Sequence, residues 1–509
     1  MADPITYAVA VDWDDDGSFD DPDEDLTADV LALSWRLGLA APFDAVAAPS
    51  WAQITVRNAG RDYSPERAAH LLPGKGVRIQ CTAGGMTRTH FTGFIERVEP
   101  LPGDWGARIA ALHAAGPELQ LERCQARLPP QPNARAGAII AALLDAAPVR
   151  PVTLAGCWVL DYAGQAELGA NTRLPAMHPR SLEAGQSVFA YAAEIWSEGL
   201  PALAAIRQLA ESERGRFFTD REGRFVFTDR HYTLRPAAPA ASYDDDMAGL
   251  AYQFGAGLAN RVQVRVIPRG IGAAGTSLWT LAGPQRLPPG TWAVTARFRD
   301  ADRRPAGALT VMPPAPTLDY RASTLPDGTG ADRTDQVIAL LTEVTAGWAR
   351  LEFRNRGPDA VYLLAGARLR GTPVILGDAA TVEAYDPPGE AFHGPRRLAL
   401  EAPALSTLED AENLARFELA RRRAPRGRAH SLHLNGRQAA AALARTLFDC
   451  ITVRETQTGH AADYLIIAEE HRVELGGARH RITWLLEPAD GLFWMVDAGQ
   501  LDESSVLAY

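Results

Sequence analysis

Carboxylates near the N-terminus of the 509-residue chain are spaced as in a calcium-binding loop. Aspartates alternate at three positions and a glycine follows, as in the first half of an EF-hand loop, where alternate carboxylates converge on one ion and glycine allows a sharp turn. Hard oxygen ligands at this density suit Ca²⁺ better than a transition metal. The residues predicted to bind Ca²⁺ are Asp12, Asp14, Asp16, Ser18, Asp20 and Asp23.

Two departures from the EF-hand pattern leave other interpretations of this acidic loop, residues 12–25, open. The closing position, normally Glu, is Asp23 with Glu24 beside it, and the flanking sequence has the pattern of strands. A solvated turn and a contact for a basic protein partner are the alternatives. Nine acids packed into residues 12–25 repel one another, and a bound cation would relieve that repulsion.

The net charge of −11 arises largely from this acidic loop, because nine of the acids lie in it. The chain has no basic stripe of the kind that neutralises phosphates, which argues against sequence-specific nucleic-acid binding. No apolar run reaches the roughly 18 residues of a membrane span. The N-terminus lacks the basic start and cleavage site of a signal peptide, so export by that route is not expected.

Sequence signatures of catalysis are not found. The chain contains no GxSxG, HExxH or GxxxxGK[ST] pattern. Its four cysteines, Cys81, Cys124, Cys157 and Cys450, lie far apart without a CxxC pair, which predicts reduced thiols and no structural zinc. We therefore expect no catalytic residue, and no cofactor other than Ca²⁺.

Alternation of apolar and polar residues predicts a mainly β protein with α+β parts. Short strands separated by turn residues indicate antiparallel barrels or sandwiches at both ends of the chain. The halves RFFTD and RFVFTD flank Arg221-Glu222-Gly223 and predict a hairpin. The predicted domains are a first β-barrel (1–125), a helical and irregular connecting domain (126–257), a second β-barrel (258–271 and 374–509) and an inserted β-sandwich (272–373).

One segment of the second barrel, residues 406–423, is predicted to be a helix. Ser406 followed by Glu409 fits a capping box at its start. Arginines at 421–423 fall in the last turn, where positive charge is favoured by the helix dipole. Contact with nucleic acid is the alternative for this arginine triplet.

The first and last regions of the chain contain a weak repeat. VRIQC, HFTGFIERVEP and ARIAALHAA occur in order in the first region, and CITVRE, DYLIIAEEHRVE and RHRITWLLEP in the last. Each set reads as a strand, a longer strand with a charged end, and a strand. Two barrels of similar design are one interpretation, and two unrelated β-domains are the other.

The insertion is rich in aromatic residues, which stack on sugar rings when they are exposed. Trp292 and Trp348 lie in alternating strands and are predicted to be core residues. The residues predicted to contact a glycan are Trp279, Tyr320 and Tyr362.

Five segments in this order resemble the tail-hub proteins of tailed phages, meaning the baseplate hub of contractile tails and the hub-like tail-tip proteins of flexible tails. The likeness omits the insertion and the stretch near 150–180. The segments are VDWDDDGSFDDPDEDLTADVLALSWRLG, then LLPGKGVRIQC with FTGFIERVEP, then IRQLAESERGRFFTDREGRFVFTDR, then ANRVQVRV, and DYLIIAEEHRVELGGARHRITWLLEP ahead of LDESSVLAY.

The resemblance implies a structural, non-enzymatic homotrimer in the tail tip of a virion or gene-transfer particle, made in the bacterial cytoplasm. Two tube-type β-barrels per chain then give a ring of six similar barrels, which suits a six-fold tail tube. The implied partners are the distal tail protein, the tape-measure protein and a tail fibre or spike protein, with a cell-surface glycan as a further one. DNA passes through such a ring without specific binding, since basic contacts to phosphates are what hold it.

Two other classes of function remain open from the sequence. One is a multidomain glycan-binding adhesin, which would be a monomer that binds polysaccharide. The other is a cell-wall hydrolase with an unrecognised site, which would turn over peptidoglycan.

Overall fold

The computed structural model describes residues 5–14, 16–103, 106–147, 149, 178–193, 196, 199–235, 237–474 and 479–489, with the backbone of 493–494 and 506–507. Cys157, most of the irregular segment predicted after residue 150 and most of the C-terminal LDESSVLAY lie outside the described residues.

Strands dominate the first part of the chain. Its elements are β1 (Thr6–Asp12), β2 (Val30–Gly38), β3 (Trp51–Arg57), β4 (Gly76–Ala83), β5 (Met86–Leu101), β6 (Ile109–Ala115), α1 (Glu118–Arg123), β7 (Gln131–Arg135) and α2 (Ala136–Ala146). The next elements are β8 (Arg180–Leu182), β9 (Val188–Ala192), α3 (Ala202–Glu213), β10 (Arg216–Thr219), β11 (Phe225–Thr228), β12 (Ala241–Tyr243), β13 (Gly249–Phe254) and β14 (Arg261–Val266).

The insertion and the last part of the chain follow the same strand-rich pattern. The insertion contains β15 (Arg269–Ile271), β16 (Thr276–Thr280), β17 (Gln285–Leu287), β18 (Gly290–Arg297), β19 (Gly307–Met312), β20 (Ala322–Ser323), β21 (Val337–Val344), β22 (Trp348–Asn355), β23 (Val361–Leu363) and β24 (Arg368–Leu376). The last part contains β25 (Ala380–Tyr385), α4 (Pro387–His393), β26 (Arg397–Glu401), α5 (Leu408–Arg422), β27 (Gly427–Leu434), α6 (Ala439–Leu443), β28 (Cys450–Glu455), β29 (His460–Glu474), β30 (Arg479–Pro488), β31 (Phe493–Trp494) and β32 (Val506–Leu507). Short 3₁₀ turns occur at Thr27–Asp29, Tyr232–Leu234 and Thr334–Gln336.

The fold is mainly β with α+β parts, as the sequence predicts. Twelve strands form one sheet with the order β1-β4-β5-β6-β3-β2-β29-β30-β27-β13, while β28 pairs with β29 and β12 with β28. The strands of the two predicted barrels are therefore hydrogen-bonded to each other in one sheet. They also share one cluster of buried apolar side chains, which includes Trp35, Phe91 and Trp484.

Two six-stranded halves of this sheet have the same pairing scheme. In the first half (β1–β6), β1 pairs with β4, then β4 with β5, β5 with β6, β6 with β3 and β3 with β2. In the second half (β12, β13 and β27–β30), the corresponding pairs are β12 with β28, then β28 with β29, β29 with β30, β30 with β27 and β27 with β13. The order is identical, although β12 runs parallel to β28 and β1 antiparallel to β4.

Matching hydrogen bonds fix which residues of the two halves correspond. Ile95 donates its N–H to the carbonyl of Lys75, and Ile466 donates to that of Asp449. The carbonyl of Ile95 accepts from Gly74 and that of Ile466 from Phe448. A bulge follows Ile95 in β5 and Ile466 in β29. Ile95 thus corresponds to Ile466, and the weak sequence repeat is a repeat of structure.

One strand pairing joins the two halves. Residues 33–38 of β2 run antiparallel to residues 468–473 of β29, and Leu39 donates its N–H to the carbonyl of Ile467. We call this pairing the β2–β29 junction. Gly38 lies at its end with φ +95°, and an added Cβ would sit 2.3 Å from the Ile467 carbonyl oxygen. Only glycine fits this close approach.

The sheet membership of several strands differs from the predicted domains. β14, β25 and β26, all assigned to the second barrel, form instead a separate three-stranded sheet. The reason is helix α5, which buries Ala411 and Leu414 against Val262 and Val264 of β14 in a second cluster of apolar side chains. β12 and β13, assigned to the connecting domain, belong to the twelve-stranded sheet.

Helix α5 begins one residue later than the predicted capping box. Thr407 is the N-cap, and its hydroxyl oxygen accepts the N–H of Asp410 at 3.1 Å. The prediction of Ser406 with Glu409 is therefore wrong by one position. The predicted hairpin is present, because β10 pairs antiparallel with β11 and β11 continues to β8.

The insertion is built from small sheets around its own buried cluster, which includes Leu278, Leu351 and Phe353. The chain enters through β15 and leaves through β24, and these two strands pair antiparallel, with Arg269 opposite Leu376. Entry and exit therefore lie side by side. No described helix is long and apolar enough to cross a membrane.

Substituting Gly38→Ala is expected to destabilise the protein by about 2–4 kcal/mol, because it adds a steric clash at the β2–β29 junction to an unfavourable positive φ. Gly74→Ala is the matched control, since Gly74 has φ +91° but no atom within 4 Å of an added Cβ. It should cost only about 1–2 kcal/mol. Urea unfolding of both variants measures the difference, and equal losses would show that the close approach is unimportant.

Candidate functional site

The acidic loop is an excursion from the outermost strand of the twelve-stranded sheet. The chain leaves β1 at Asp12 and returns at Glu24, whose carbonyl accepts the N–H of Val11 at 3.0 Å. Leu26 then donates its N–H to the carbonyl of Val9 at 2.9 Å. Since β4 occupies the other edge of β1, the returning segment covers the edge that would otherwise be open.

The carboxylate of Asp12 organises the first turn of this loop. It is fully buried and accepts the backbone N–H groups of Asp16 at 3.1 Å and Gly17 at 3.0 Å. Gly17 has φ +85°, which fits the predicted sharp turn. Asp14 is exposed, and its carboxylate also accepts the N–H of Asp16.

Three carboxylates of the loop face one another. Ligand atoms of Asp12, Asp14 and Glu24 all lie within 4.8 Å of each other. Burial raises the pKa of Asp12 and raises that of Glu24 to about 7, and the charges of Asp12 and Asp14 add to the shift at Glu24. This cluster is where the structure could hold a cation.

The structure groups only two of the six predicted Ca²⁺ ligands in this cluster. Asp16 and Asp20 are exposed and interact with Ser18, which donates its N–H to Asp16 at 2.7 Å and its hydroxyl to Asp20 at 2.5 Å. Asp23 is exposed as well. The third carboxylate comes from Glu24, the neighbour of the predicted closing position. Glu24 turns inward where the chain rejoins β1, and the spacing of the acids does not indicate that turn.

A second cluster of titratable groups lies beside the β2–β29 junction and was missed in the sequence. Arg221, from the turn between β10 and β11, donates from Nε to Glu469 of β29 at 2.7 Å, and both side chains are buried. The ring of His471 stacks on Trp35 of β2, with centroids 4.5 Å apart and planes 7° apart. Arg221 and Glu469 are 248 residues apart in sequence, so no local sequence pattern predicts that they form an ion pair.

Histidines extend this cluster across both halves of the sheet. His471 Nδ1 lies 3.0 Å from His480 Nε2, and His480 Nδ1 lies 3.0 Å from the Tyr7 hydroxyl. His90 of β5 offers a ligand atom within 4.8 Å of those of Glu469 and His471. Burial lowers the pKa of all three histidines, to about 3 for His480. They are buried and neutral at pH 7.

Two further buried acids hold the hairpin and helix α5 together. Glu487 of β30 accepts Arg216 at 2.9 Å and the N–H of Phe43 at 2.6 Å. Glu418 of α5 accepts Arg214 at 2.8 Å and Arg422 at 2.9 Å. The predicted arginine triplet at the end of α5 is thus largely internal, since Arg421 and Arg422 are buried.

The predicted glycan contacts do not form one surface. Tyr320 is buried and donates its hydroxyl to the carbonyl of Val337 at 2.8 Å, so its predicted glycan contact is wrong. Trp279 and Tyr362 are partly exposed but lie in different sheets, on β16 and β23. Trp292 is partly buried and packs against the insertion core, with its ring 5.9 Å from that of Phe353, while Trp348, also predicted to be a core residue, is partly exposed and outside that core cluster.

Neither a protein-family model nor a curated relative matches the chain. Among solved structures, a 43 kDa tail protein of prophage MuSo2 from Shewanella oneidensis is 10% identical, with 95% of this chain and 99% of that chain covered and a TM-score of 0.47. A tail protein from Neisseria meningitidis is 9% identical over 95% and 97% of the two chains, with a TM-score of 0.49. A prophage tail protein from Listeria monocytogenes is 9% identical over 94% of each chain, with a TM-score of 0.40.

All three are tail proteins, the class that the sequence resembles. Likenesses with TM-scores below 0.5 are too slight to carry an argument about function. The function proposed for this chain therefore rests on its own strand pairing.

Replacing Arg221 with Ala is expected to destabilise the protein by about 3–5 kcal/mol, because Glu469 is left as an uncompensated buried charge. Arg224→Ala is the matched control in the same hairpin, since Arg224 is 53% exposed and pairs with Asp220. It should cost less than about 1 kcal/mol. Chemical unfolding compares them, and similar losses for the two variants would contradict the role of the buried pair.

Stability is expected to fall as the pH drops from 6.5 toward about 3. The histidines facing Tyr7, Arg221 and Glu469 stay neutral in the fold, while in the unfolded chain they take up protons near pH 6.5. Their contribution is therefore complete above pH 6.5 and is lost below it, by about 1 kcal/mol per pH unit for each histidine. Urea unfolding at several pH values measures the slope; His480→Gln should reduce it, and an unchanged slope would contradict the assignment.

Proposed function

We propose that this chain is a structural hub of a phage or phage-like tail tip, in which several copies close a ring through the edges of their twelve-stranded sheets. The observation that carries this proposal is the identical pairing order of the two halves, joined by the β2–β29 junction. A chain that contains two similar halves can make the same junction once within itself and once with a neighbour.

The second, intermolecular junction is defined by the residue correspondence between the halves. β13 occupies the place of β2, because Leu250 and Leu33 pair with the corresponding residues Leu432 and Ile54. Gly255 then corresponds to Gly38, and both have positive φ. In the same way, residues 97–101 of β5 correspond to the part of β29 that β2 occupies.

Both of these edges lack a partner among the strands that the structure describes. β13 pairs only with β27 among the described strands. Residues 97–101 of β5 pair with β6 on one edge, and no described strand pairs with their other edge. Large apolar side chains accompany both edges, because Phe254 is 71% exposed and Leu101 is 38% exposed.

Pairing β13 of one copy with β5 of the next reproduces the junction in trans. Leu37 pairs with Glu469 in the internal junction, so Phe254 is expected opposite Val98 of the next copy. This contact is head-to-tail, and such contacts generate a ring when the rotation closes. Three copies give six similar halves around an axis, the arrangement that the sequence resemblance implies.

The proposed ring also accounts for the location and the partners that the sequence resemblance implies. It stacks on a six-fold tail tube in the virion tail tip, joining the distal tail protein to a fibre or spike protein. Its channel takes the tape-measure protein and then DNA. The chain has a net charge of −11, which disfavours retention of DNA by phosphate contacts. In this proposal the role is structural, without catalysis.

The variant Phe254→Glu tests this proposal. We expect the unmodified chain to form a three-fold ring with six lobes by light scattering and negative-stain class averages, and the variant to be monomeric, because a charge is buried in the pairing edge. Phe392→Glu is the matched control, since Phe392 is 85% exposed on α4, outside the twelve-stranded sheet. It should leave the ring intact.

Head-to-tail pairing is tested by single-cysteine variants. A mixture of Val98→Cys and Phe254→Cys should form disulfide-linked dimers, while neither variant forms them by itself. Cross-linking within one variant would contradict the head-to-tail contact. An unmodified chain that is a stable monomer and binds polysaccharide would replace the hub by the adhesin, for which partly exposed Trp279 and Tyr362 are the predicted contacts.

A further inference from the structure

We propose that Asp12, Asp14 and Glu24 bind one Ca²⁺ ion, which locks the acidic loop over the outer edge of β1. The inference concerns the single chain and is independent of the ring. It changes the ligand set expected from the EF-hand spacing, because the closing carboxylate is Glu24 and the first two aspartates are the only members of that spacing in the cluster.

The buried side chain of Glu24 is the observation that points to a ligand. It is 2% exposed and its Oε1 atom has no hydrogen-bond partner, and the nearby cation Arg78 interacts with it through charge without a described hydrogen bond. Backbone N–H groups of Asp21, at 3.3 Å, and of Trp13 bond to this carboxylate, and they leave Oε1 without a partner. A buried carboxylate oxygen without a partner is costly, so a group that satisfies it stabilises the loop.

The charges around Glu24 select a cation. Asp12 and Asp14 bring two more carboxylates within 4.8 Å, and Arg78 is held with its guanidinium 4.5 Å above the ring of Phe19. With all three carboxylates ionised, one divalent ion changes the charge of the cluster from about −3 to about −1. Removing this repulsion and satisfying the orphaned oxygen are effects of the same ion.

Ca²⁺ fits the donor set better than other metals. All three ligands are carboxylates, which are hard oxygen donors, and no described His or Cys belongs to the cluster. Ca²⁺ accepts 6–8 oxygens in flexible geometry and completes its shell with water, whereas Mg²⁺ demands a near-ideal octahedron. The carboxylate of Asp12 is buried and held by loop N–H groups, whereas that of Asp14 is exposed, so the two ligands differ in rigidity.

The other group of metal-ligand side chains is a poorer site. His90, Glu469 and His471 also come together, but Arg221 already neutralises Glu469. A divalent ion there would bring a buried net charge of about +2. The same comparison of charges that favours a cation at the acidic loop opposes one beside the junction.

Ca²⁺ binding has a structural consequence at the sheet edge. Residues 24–26 cover the open edge of β1, and the excursion that leads to them is held by Asp12 at one end and Glu24 at the other. An ion bridging these two residues fixes the cover in place. Without the ion the edge of β1 is exposed more often, and exposed edges pair with other chains.

Terbium luminescence tests the site, because Trp13 lies between two of the proposed ligands in sequence and can transfer excitation to bound Tb³⁺. We expect Tb³⁺ emission on exciting tryptophan, and its loss when Ca²⁺ displaces the terbium. Asp14→Asn should weaken Tb³⁺ and Ca²⁺ binding at least about tenfold, while Asp23→Asn, the matched control, weakens it less than about threefold. Both aspartates are exposed and both changes remove one charge, so only the ligand position differs.

Thermal unfolding in Ca²⁺ and in a chelator gives a second, independent measurement. The unmodified chain should unfold at a higher temperature with Ca²⁺. Glu24→Gln should lose this increase and unfold no earlier than the unmodified chain in chelator, because it removes one of three carboxylates that repel one another. The proposal would be overturned if Asp14→Asn and Asp23→Asn had equal effects on binding, or if the unfolding temperature were the same in Ca²⁺ and in chelator.

Discussion

The rest of the structure depends on the backbone pairing of β2 with the distal part of β29. β29 is long enough to pair with β28 near its start and with β2 near its end, while β30 runs along its opposite edge. Because of this length, β29 belongs to the second half of the sheet and also pairs with β2 of the first half. The shared buried core around Trp35 and Trp484 exists because the junction places the two halves in register.

Buried ion pairs fix the position of the β10–β11 hairpin against the sheet and helix α5 more specifically than apolar packing does. Arg214, Arg216 and Arg221 come from one short segment, and they reach acids on α5, β30 and β29. Because each partner is buried, a shift of the hairpin by one residue would leave a carboxylate without its arginine. The segment between α3 and β11 therefore fixes how the connecting region sits on both the helix and the sheet.

The sequence predicts what is local and fails where distant residues meet. Alternation identifies the strands, the turn residues identify the β10–β11 hairpin, and the ordered motifs reveal the repeat. The spacing of acids locates the loop, but only Asp12 and Asp14 of the predicted ligands lie in the carboxylate cluster, because hydrogen bonds to β1 turn Glu24 inward. The pairs Arg221 with Glu469 and Arg216 with Glu487 span 248 and 271 residues, and no periodicity carries that information. The same applies to β14, whose sheet is decided by where α5 packs.

The side-by-side entry and exit of the insertion make it an exchangeable module. β15 and β24 pair directly, so the distance that a replacement segment must span is that between two neighbouring strands, about 5 Å. The insertion also has its own buried cluster, distinct from those of the twelve-stranded sheet and of α5. Descendants of such a chain can lose, enlarge or trade this module while the sheet below keeps its pairing. Change in the insertion is thereby uncoupled from the pairing of the strands in the twelve-stranded sheet.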